Sequence, residues 1–409
     1  MDNCETVKDL LKADYPDLTQ SIKNHKINRG GKVNKVVSLS RKTNAFKKLL
    51  APGSQMPVYL LMFVTNRCNA SCEHCFYWRE LNTKVKEELT LDEFQRLASS
   101  LGQMLQVTLT GGSPELRNDL AAITKIFHEE CKPSNITFCM LGYSTERILS
   151  QVEEMLRTCP GQRFTVAISL DGIGEDHDRL RRLPGCFDKA VNTIRRLGQL
   201  KTHFPNLRIA VGTTVHGLNY QTVEHTACWV RENLPIDQLK PILVRGNPLN
   251  RDTLDKVCQT TYLNVIDRDR DWVDGQRTTR FSPMDYVVNA KENLQRDIIG
   301  QISETNHSPV VCSGGRETAV IYPNGNVAGC ELRNDILGNL RDVEMDFSKI
   351  WFNTQASDFR DTTGKVPECQ GCYHHCFISP AIFRTPNLWP KLMQVAWSIY
   401  KNGGKLEIN

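Results

Sequence analysis

The sequence predicts an α/β protein in which a parallel sheet of six strand–helix units is followed by a smaller unit of different character. From Met56 onward, apolar runs with β-branched residues alternate with helix-like stretches, which is typical of βαβ repeats. Six such units fall short of the eight that close a full barrel, so we expect a partial, TIM-like (β/α)6 barrel. After Thr305 the alternation stops, and a hairpin-plus-helix unit is expected.

The six predicted strands share a short apolar core with β-branched residues. They are Val58–Val64, Val107–Thr110, Ile136–Leu141, Phe164–Leu170, Leu207–Val215 and Leu239–Val244. The first helix is expected to begin after Thr90, because Thr90 and Glu93 form a capping box in which each side chain can bond the other's backbone amide. Later helices are expected near Asp119–Glu130, Glu146–Arg157, Asp188–Gln199, Tyr220–Asn233, Asp252–Arg268 and Met284–Ile302.

The C-terminal part carries a hairpin signal of its own. Asn324-Gly325 lies within the segment Thr318–Gly329, and Asn-Gly is the strongest short signal for a hairpin turn. A helix is expected at Phe347–Arg360. The tail from Asn387 has one apolar helical face, which predicts docking on the barrel, with contact to a membrane or a partner as the alternative.

We therefore divide the chain into a leader (1–55), the barrel (56–304), the hairpin-plus-helix unit (305–380) and the tail (381–409). Within the leader, residues 23–48 are basic and contain no acidic residue. A solvated basic face is the favoured interpretation of this run. Contact with a membrane surface or with an anionic substrate is the alternative.

Composition narrows the classes of function. A formal net charge of +5 over 409 residues is too small to imply nucleic-acid binding by itself. No apolar run reaches the roughly 18 residues of a membrane span, and the polar N-terminus is not a signal peptide, so a cytoplasmic location is expected. Fifteen cysteines are many for a reducing compartment, where metal binding is the expected use. Seven of them are scattered and are expected to be small buried hydrophobes.

Three cysteines form the most informative motif. Cys68, Cys72 and Cys75 have the spacing C-x3-C-x2-C and directly follow the first predicted strand. Three thiolates on one tight loop suit three corners of an iron–sulfur cube and leave one iron for a non-protein ligand. A structural zinc site takes four protein ligands, and His74, the nearest fourth, would crowd the loop. Zinc and three unconnected buried cysteines remain the alternatives.

A second set of five cysteines lies in the C-terminal part: Cys312, Cys330, Cys369, Cys372 and Cys376. Five suffice for one [4Fe–4S] cluster with one cysteine to spare. We expect the ligands to be Cys312, Cys330 and Cys376 with either Cys369 or Cys372, although the spacing does not identify the spare. Tetrahedral zinc is the alternative, because C-x2-C with distant cysteines also suits that ion.

Together these motifs resemble the radical S-adenosylmethionine (SAM) superfamily. Besides the cysteine loop, Thr110–Arg117 reads TGGSPELR and resembles the family's TGGEP segment, and Ser169–Gly172 reads SLDG, as in the branch with auxiliary clusters. The resemblance covers roughly Met56 to Phe377. It implies a [4Fe–4S] cluster held by three cysteines and by SAM, reductive cleavage of SAM, and hydrogen abstraction from a substrate by the 5′-deoxyadenosyl radical.

The resemblance also assigns residues to the cofactor site. The candidates are Tyr77, Gly111, Gly112, Ser113, Ser169 and Asp171. The glycines are expected to let the backbone approach the methionine end of SAM, although they could form only a strand-to-helix turn. Ser113 replaces the family's usual glutamate. Ser169 and Asp171 are expected to reach the ribose, with a simple turn at Asp171-Gly172 as the alternative.

The segment Cys312-x12-Gly325-x4-Cys330 resembles the opening of the SPASM or twitch auxiliary-cluster domain. Such a cluster would accept an electron from a substrate radical or position the substrate. Glu331 directly follows Cys330, and in family members that oxidise a hydroxyl or thiol an acid at this place acts as a base. A surface acid is the alternative interpretation.

The sequence thus predicts a radical SAM oxidoreductase or tailoring enzyme with one auxiliary [4Fe–4S] cluster. A small-molecule or natural-product substrate is favoured, because no leader-binding domain is visible; peptide modification is the runner-up, and a zinc-binding protein without catalysis is the rival class. The expected partners are SAM, the substrate and an electron donor such as flavodoxin or ferredoxin. Nucleic acid is not expected, and membrane contact is not favoured.

Overall fold

The computed structural model describes residues 56–255, 259–267 and 283–401. The predictions for the leader, residues 1–55, lie outside the described part of the chain. Within the described residues, no helix is long and apolar enough to cross a membrane.

The described strands form one sheet of nine. They are β1 (Tyr59–Thr65), β2 (Gln106–Gly111), β3 (Asn135–Met140), β4 (Phe164–Ser169), β5 (Leu207–Val215), β6 (Gln238–Leu243), β7 (Thr318–Ile321), β8 (Asn326–Ala328) and β9 (Ile336–Asn339). Their order in the sheet is β6-β5-β4-β3-β2-β1-β7-β8-β9. Strands β1 to β6 are parallel and consecutive, which confirms the predicted partial (β/α)6 barrel.

The helices pack on the outer face of the sheet, and the last four belong to the C-terminal part of the chain. They are α1 (Leu91–Leu101), α2 (Leu120–Glu130), α3 (Thr145–Thr158), α4 (Glu175–Arg181), α5 (Cys186–Lys201), α6 (Val223–Asn233), α7 (259–267), α8 (Pro283–Thr305), α9 (Phe347–Trp351), α10 (Thr354–Thr362), α11 (His375–Ala381) and α12 (Trp389–Lys401).

Helix α1 shows how local sequence places a barrel helix. The Thr90 hydroxyl accepts from the backbone amide of Glu93, and the Glu93 carboxylate accepts from that of Thr90, so the predicted capping box is present. Behind the cap, one face of the helix is buried, including Phe94 and Leu97, which are fully enclosed. Burial of each such side chain stabilises the fold by about 1.5–3 kcal/mol.

The predicted hairpin is present but belongs to the same sheet as the barrel. Strands β7 and β8 pair antiparallel around Asn324-Gly325, where Gly325 has φ = +87°. On its other side β7 pairs in parallel with β1, with Tyr59 opposite Thr318 and Met62 opposite Ile321. The hairpin-plus-helix unit is therefore joined to the first barrel strand by backbone hydrogen bonds.

Two predicted helices differ in detail, and the tail helix agrees with its prediction. The helix expected at Asp252–Arg268 consists of a single turn of 3₁₀ helix at Arg251–Leu254 and the separate α7. The helix expected at Phe347–Arg360 is divided into α9 and α10, because Asn353 caps a new helix by accepting from the amide of Ala356. The tail helix α12 packs against α8 as expected, and its buried residues are Leu392, Ala396 and Ile399.

Candidate active site

The three barrel motifs meet at one edge of the sheet. The cysteine loop, residues 68–75, follows β1, while Gly111 ends β2 and Ser169 ends β4. Because the carboxyl ends of parallel strands lie on the same edge, these residues surround one end of the barrel interior. The fold therefore brings the predicted motifs to one place.

Backbone hydrogen bonds clamp the cysteine loop from two sides. The amide of Glu73 donates to the carbonyl of Leu180 on α4 at 3.0 Å. The amide of Asn250, in the segment after β6, donates to the carbonyl of Glu73 at 2.8 Å. The direction of the three thiols is thus set by elements far apart in sequence.

The three cysteines fit an iron–sulfur cluster by their side-chain chemistry. Cys72 is buried, Cys68 and Cys75 are half-buried, and all three line one small apolar cluster. Burial raises the pKa of Cys72, and burial together with Cys72 raises the pKa of Cys75 to about 12. Iron must displace these thiol protons on binding, as thiolate sites require. The set would hold three irons and leave the fourth to SAM.

Two other residues with metal-binding side chains belong to this region, His74 within the loop and Cys186 beside it. His74 faces away from the thiols, since its Nε2 is 3.6 Å from the Asp171 carboxylate and its ring stacks on His216 at 5.0 Å. Burial lowers the pKa of His74 to about 3, so this imidazole is neutral. Cys186, at the start of α5, is fully buried against Cys72, in agreement with the expectation of a small buried hydrophobe.

The glycines of the second motif lie directly on the cysteine loop. A Cβ at Gly111, which has φ = +129°, would be 2.3 Å from the carbonyl oxygen of Thr65. A Cβ at Gly112 would be 2.2 Å from the carbonyl oxygen of Arg67 and 3.0 Å from the Cβ of Cys68. This contact requires glycine whatever the ligand, and the approach of SAM to the same backbone stays a prediction.

Ser113 is also turned toward the loop. Its side chain is buried, and its Oγ lies 3.6 Å from Cys68 Sγ. The nearby carboxyl group of Glu115 does not replace the family's glutamate in this contact, because it accepts hydrogen bonds from the amides of Leu141 and Gly142 beyond β3. Burial raises the pKa of Glu115 to about 7.

The Asp171 carboxylate is fully buried and already bound by protein groups. One oxygen accepts from the backbone amide of Thr214 at 2.8 Å, and the other forms an ion pair with Arg181 at 2.6 Å. Burial acts to raise the pKa of Asp171, but Arg181 outweighs it and the pKa falls to about 2. A contact of Asp171 or of the half-buried Ser169 with the SAM ribose stays a prediction.

Arg181 is a site residue that the sequence reasoning missed. Besides its ion pair with Asp171, its Nη1 lies 3.6 Å from Cys72 Sγ. The adjoining polar run His177-Asp178-Arg179 is the local signal that could have indicated it. His177 accepts from the Asp171 amide at 3.1 Å, so this run packs around the SLDG turn.

Tyr77 links the cysteine loop to the hairpin. Its hydroxyl donates to the Asn66 side chain at 2.6 Å, and its ring packs on Phe63 of β1 at 4.8 Å and stacks on Tyr322 at 6.1 Å. The predicted contact of Tyr77 with the cofactor is not tested by these interactions. Tyr77 therefore connects the first cysteine group with the β7–β8 hairpin.

Four cysteines of the second set converge. Cys312 precedes β7, Cys330 follows β8, and Cys369 and Cys372 lie before α11, yet each thiol acts electrostatically on others of the group. Burial and these neighbours raise the pKa of Cys312 and of Cys330 to about 12. Backbone amides of neighbouring residues donate to the sulfurs of Cys312 and Cys330 at 3.3 and 3.4 Å. Such amide bonds help to tune iron–sulfur clusters.

Cys376 packs with Cys312 and Cys330 against one small apolar cluster, but its electrostatic neighbours differ from those of the four converging cysteines. Its Sγ is 3.5 Å from Nε2 of His375, and the groups that act on it are led by Arg245, Glu331 and Cys139. The expectation that Cys376 is a ligand stays a prediction. Because the other four cysteines already suffice for one cluster, Cys376 is the candidate for the spare cysteine of the set.

Glu331 is buried between two partners. Its Oε1 accepts from Arg245 at 2.7 Å and lies 2.6 Å from His374 Nε2. Burial acts to raise the pKa of Glu331, but Arg245 and His374 outweigh it and hold the pKa well below the usual range. Glu331 is thus not a surface acid, and neither partner was foreseen from the sequence.

The interior between the two cysteine groups is polar and positively charged. Cys139 is exposed although it lies on the central strand β3, so its free surface faces the barrel interior. Lys240 of β6 and Arg245 act on Cys139 and on Cys376, and Lys291 of α8 lies near the same groups. This lining suits a polar substrate better than an apolar one.

Two protein-family models match the chain. The model of the radical SAM superfamily matches residues 62–230, which include the first cysteine group. The SPASM model, an iron–sulfur cluster-binding domain, matches residues 312–373. The second match includes the four converging cysteines and ends before Cys376.

Curated relatives align at modest identity. PqqA peptide cyclase of Bradyrhizobium diazoefficiens is 26% identical over 329 residues, which are 78% of this chain and 79% of that protein. The antilisterial bacteriocin subtilosin biosynthesis protein AlbA of Bacillus subtilis is 25% identical over 343 residues, 78% of this chain and 67% of that protein. The alignment with the sporulation killing factor maturation protein SkfB of Bacillus subtilis, at 26% identity, spans only 42% of this chain and 38% of that relative.

Solved structures share the fold. Native anSMEcpe with bound AdoMet and Kp18Cys peptide has a TM-score of 0.55 at 17% identity and covers 84% of this chain and 100% of that chain. SuiB of Streptococcus suis bound to precursor peptide SuiA has a TM-score of 0.52 at 13% identity and covers 91% of this chain and 82% of that chain.

The two matched segments occur in the order that the resemblance predicts, so that prediction is confirmed. The alternative of a zinc-binding protein without catalysis is set aside. The chain belongs to the radical SAM superfamily and carries a C-terminal SPASM domain: it is an enzyme that uses a [4Fe–4S] cluster with SAM, together with auxiliary iron–sulfur binding.

Proposed function

We propose that this enzyme modifies a peptide by abstracting hydrogen from one of its residues. One observation carries the proposal: the alignment with PqqA peptide cyclase covers 329 residues and is therefore longer than the predicted barrel segment 56–304 alone. The likeness thus extends beyond the radical-generating unit that diverse enzymes share. AlbA, named for biosynthesis of a bacteriocin, supports the same substrate class. The earlier preference for a small molecule gives way to the peptide alternative.

In this proposal the first cysteine group is the radical-generating end. Cys68, Cys72 and Cys75 would hold a [4Fe–4S] cluster that, with SAM, supplies the 5′-deoxyadenosyl radical. The protein's own contribution is placement and exclusion of water. Gly111 and Gly112 seat the second motif on the cysteine loop.

Four further side chains at the same edge are proposed to face SAM. They are Tyr77, Ser113, Ser169 and Asp171. Among these four, Ser113 departs most from the family's sequence pattern. It offers a hydroxyl beside Cys68 where the family usually has a carboxylate.

The substrate residue is proposed to bind in the barrel interior, between the two cysteine groups. The side chain of Cys139 is exposed there, and Lys240 and Lys291 contribute positive charge. This lining favours a peptide segment that carries acidic or other electron-rich polar groups.

On the far side of the interior, Cys312, Cys330, Cys369 and Cys372 are proposed to hold one auxiliary [4Fe–4S] cluster. Such a cluster accepts an electron or positions the substrate. Glu331 is the candidate proton acceptor, because it lies next to Cys330 and stays ionised in its pair with Arg245. An electron donor such as flavodoxin or ferredoxin and a cytoplasmic location stay predictions.

The proposal is tested with anaerobically purified enzyme, SAM and dithionite. Short peptides encoded beside the gene and a metabolite extract are incubated separately, and mass spectra are compared with and without SAM. We expect one peptide to lose hydrogen or form a cross-link only when SAM is present. A SAM-dependent change in a metabolite, with every peptide unchanged, would return the small-molecule hypothesis to first place.

A further inference from the structure

The side chain of Arg181 is buried beneath the cysteine loop and contacts both a carboxylate and a thiol. Its Nη2 forms an ion pair with Asp171 at 2.6 Å, and its Nη1 lies 3.6 Å from the sulfur of Cys72. Only about 10% of the side chain is exposed. The guanidinium therefore lies between the Asp171 carboxylate and a thiol that would hold iron.

The surroundings fix this arrangement. The Asp171 carboxylate also accepts from the backbone amide of Thr214 at 2.8 Å, and the Asp171 carbonyl accepts from the Asn219 side chain at 3.0 Å. Both partners come from β5 and the turn that follows it. A buried arginine held this firmly on its carboxylate keeps its second nitrogen aimed at the Cys72 sulfur.

A positive charge beside a thiolate ligand stabilises the reduced cluster more than the oxidised one, because reduction adds one negative charge. Net charge and hydrogen bonds to the sulfurs are established determinants of iron–sulfur reduction potentials. We propose that Arg181 sets the reduction potential of the SAM-binding cluster through Cys72, and that the negative charge of Asp171 offsets part of this effect. The step involved is the uptake of one electron from dithionite or a protein donor, with no bond made or broken. The proposal is independent of the substrate.

The adjacent residue offers a matched control. Arg182 also contacts the cysteine loop, through a bidentate pair with Glu73 at 2.8 and 3.0 Å. Its side chain is 48% exposed, however, so water and salt screen its charge. Arg181 and Arg182 therefore differ in burial and in sulfur contact, while their charge and their position on the chain are nearly the same.

The test is a redox titration of the reconstituted holoenzyme without substrate, followed by electron paramagnetic resonance. The signal of the SAM-binding cluster is identified by its change when SAM is added to parallel samples, and iron content is measured for every variant. At the potential that half-reduces the wild-type cluster, we expect Arg181→Met to lower the reduced-to-oxidised ratio about tenfold, or about 59 mV for one electron. Arg181→Lys should lower it less, and Arg182→Met should leave it unchanged.

The variant Asp171→Asn distinguishes an electrostatic effect of Arg181 on the cluster from a purely structural one. It removes a negative charge near the cluster, so we expect the ratio to rise, opposite to the effect of Arg181→Met. A merely structural role would move both variants in the same direction. The proposal would be overturned if Arg181→Met and Arg181→Lys hold full iron and keep the wild-type reduced-to-oxidised ratio. A lower ratio in Asp171→Asn would also overturn it. If Arg181→Met fails to hold iron, the ratios of Arg181→Lys and Asp171→Asn decide it.

Discussion

The two cysteine groups differ in how the chain builds them. Cys68, Cys72 and Cys75 come from one eight-residue loop, whereas the second group is drawn from three separate segments around β7, β8 and α11. Three thiolates leave one iron open to an exchangeable ligand, and four leave none. The first arrangement suits a cluster that works on a bound molecule, and the second suits one that passes electrons or supports structure. The number of donors, more than their identity, separates the two roles.

Their surroundings differ as well. Arg181 touches Cys72 in the first group, and in the second group Arg333 lies beside Cys369 while pairing with Asp335. Arg181 is buried with its carboxylate, whereas Asp335 is exposed at 44% of its side chain. Both arginine side chains are buried, so the two sites differ in the counter-charge: Asp171 is enclosed with Arg181, whereas the carboxylate that pairs with Arg333 is open to solvent.

The largest effect is expected from loss of the first group. Replacing Cys68, Cys72 and Cys75 together by alanine should abolish 5′-deoxyadenosine formation and lower iron from about eight to about four atoms per chain. Chromatography and an iron assay measure the two results. Cys186→Ala, in the same apolar cluster, should keep both values near wild type. Persistent 5′-deoxyadenosine in the triple variant would show that the ligands are misassigned.

A nearly equal effect is expected from Gly112→Ala. The added methyl group would meet the Arg67 carbonyl oxygen at 2.2 Å, so the second motif must move away from the cysteine loop. We expect at least about a hundredfold slower SAM cleavage, since small misplacements of reacting groups cost that much. Gly212→Ala on β5, where the new methyl group meets nothing within 4 Å, is the control for folding and iron content. Equal SAM cleavage rates in the two variants would remove the steric argument.

Loss of the second cysteine group should leave SAM cleavage by the first cysteine group intact. Replacing Cys330 and Cys369 by serine should lower iron to about four atoms per chain, stop product formation and retain SAM cleavage. Cys376→Ala is the matched control, and we expect it to keep about eight irons. If Cys376→Ala loses iron and Cys369→Ser does not, the quartet is assigned to the wrong cysteines.

A smaller effect is expected from Glu331→Gln. The change keeps shape but removes the charge that pairs with Arg245, so SAM cleavage should persist while product formation falls about a hundredfold, within the usual range for a general base. Parallel assays of 5′-deoxyadenosine and of modified substrate make the comparison. Glu317→Gln, which likewise neutralises a carboxylate paired with an arginine, Arg384, is the control. Unchanged product formation in Glu331→Gln would exclude Glu331 from the mechanism.

The smallest predicted effect is on stability, at Glu115. Burial raises the pKa of Glu115 from 4.5 to about 7, so its contribution is present below pH 4.5 and is lost as pH rises through about 7. Glu115→Gln should remove this loss, worth about 3 kcal/mol at pH 8. Melting temperatures between about pH 5.5 and about pH 8 should fall for wild type and stay flatter for the variant. The exposed Glu129→Gln should follow wild type, and a Glu115→Gln curve parallel to it would refute the prediction.

The sequence predicted features that are encoded locally. The cysteine loop, the six parallel strands, the capping box at Thr90 and the turn at Asn324-Gly325 depend on neighbouring residues and were all foreseen. The Arg245–Glu331 pair joins residues 86 positions apart, and no local pattern marks it. Arg181 was missed for the same reason, because its role depends on contacts with Asp171 and Cys72 that only folding creates.

The pairing of β1 with β7 has a consequence for synthesis of the chain. Tyr59 lies opposite Thr318, so the free edge of the first strand stays uncovered on the ribosome until the segment around residue 318 emerges, well after β6. An uncovered strand edge is a template for aggregation, and such long-range pairs form late. Truncated chains that end before residue 318 should therefore bind chaperones or aggregate even though every barrel strand is present. The auxiliary region thus also completes the barrel sheet. We expect its synthesis to protect the barrel from aggregation.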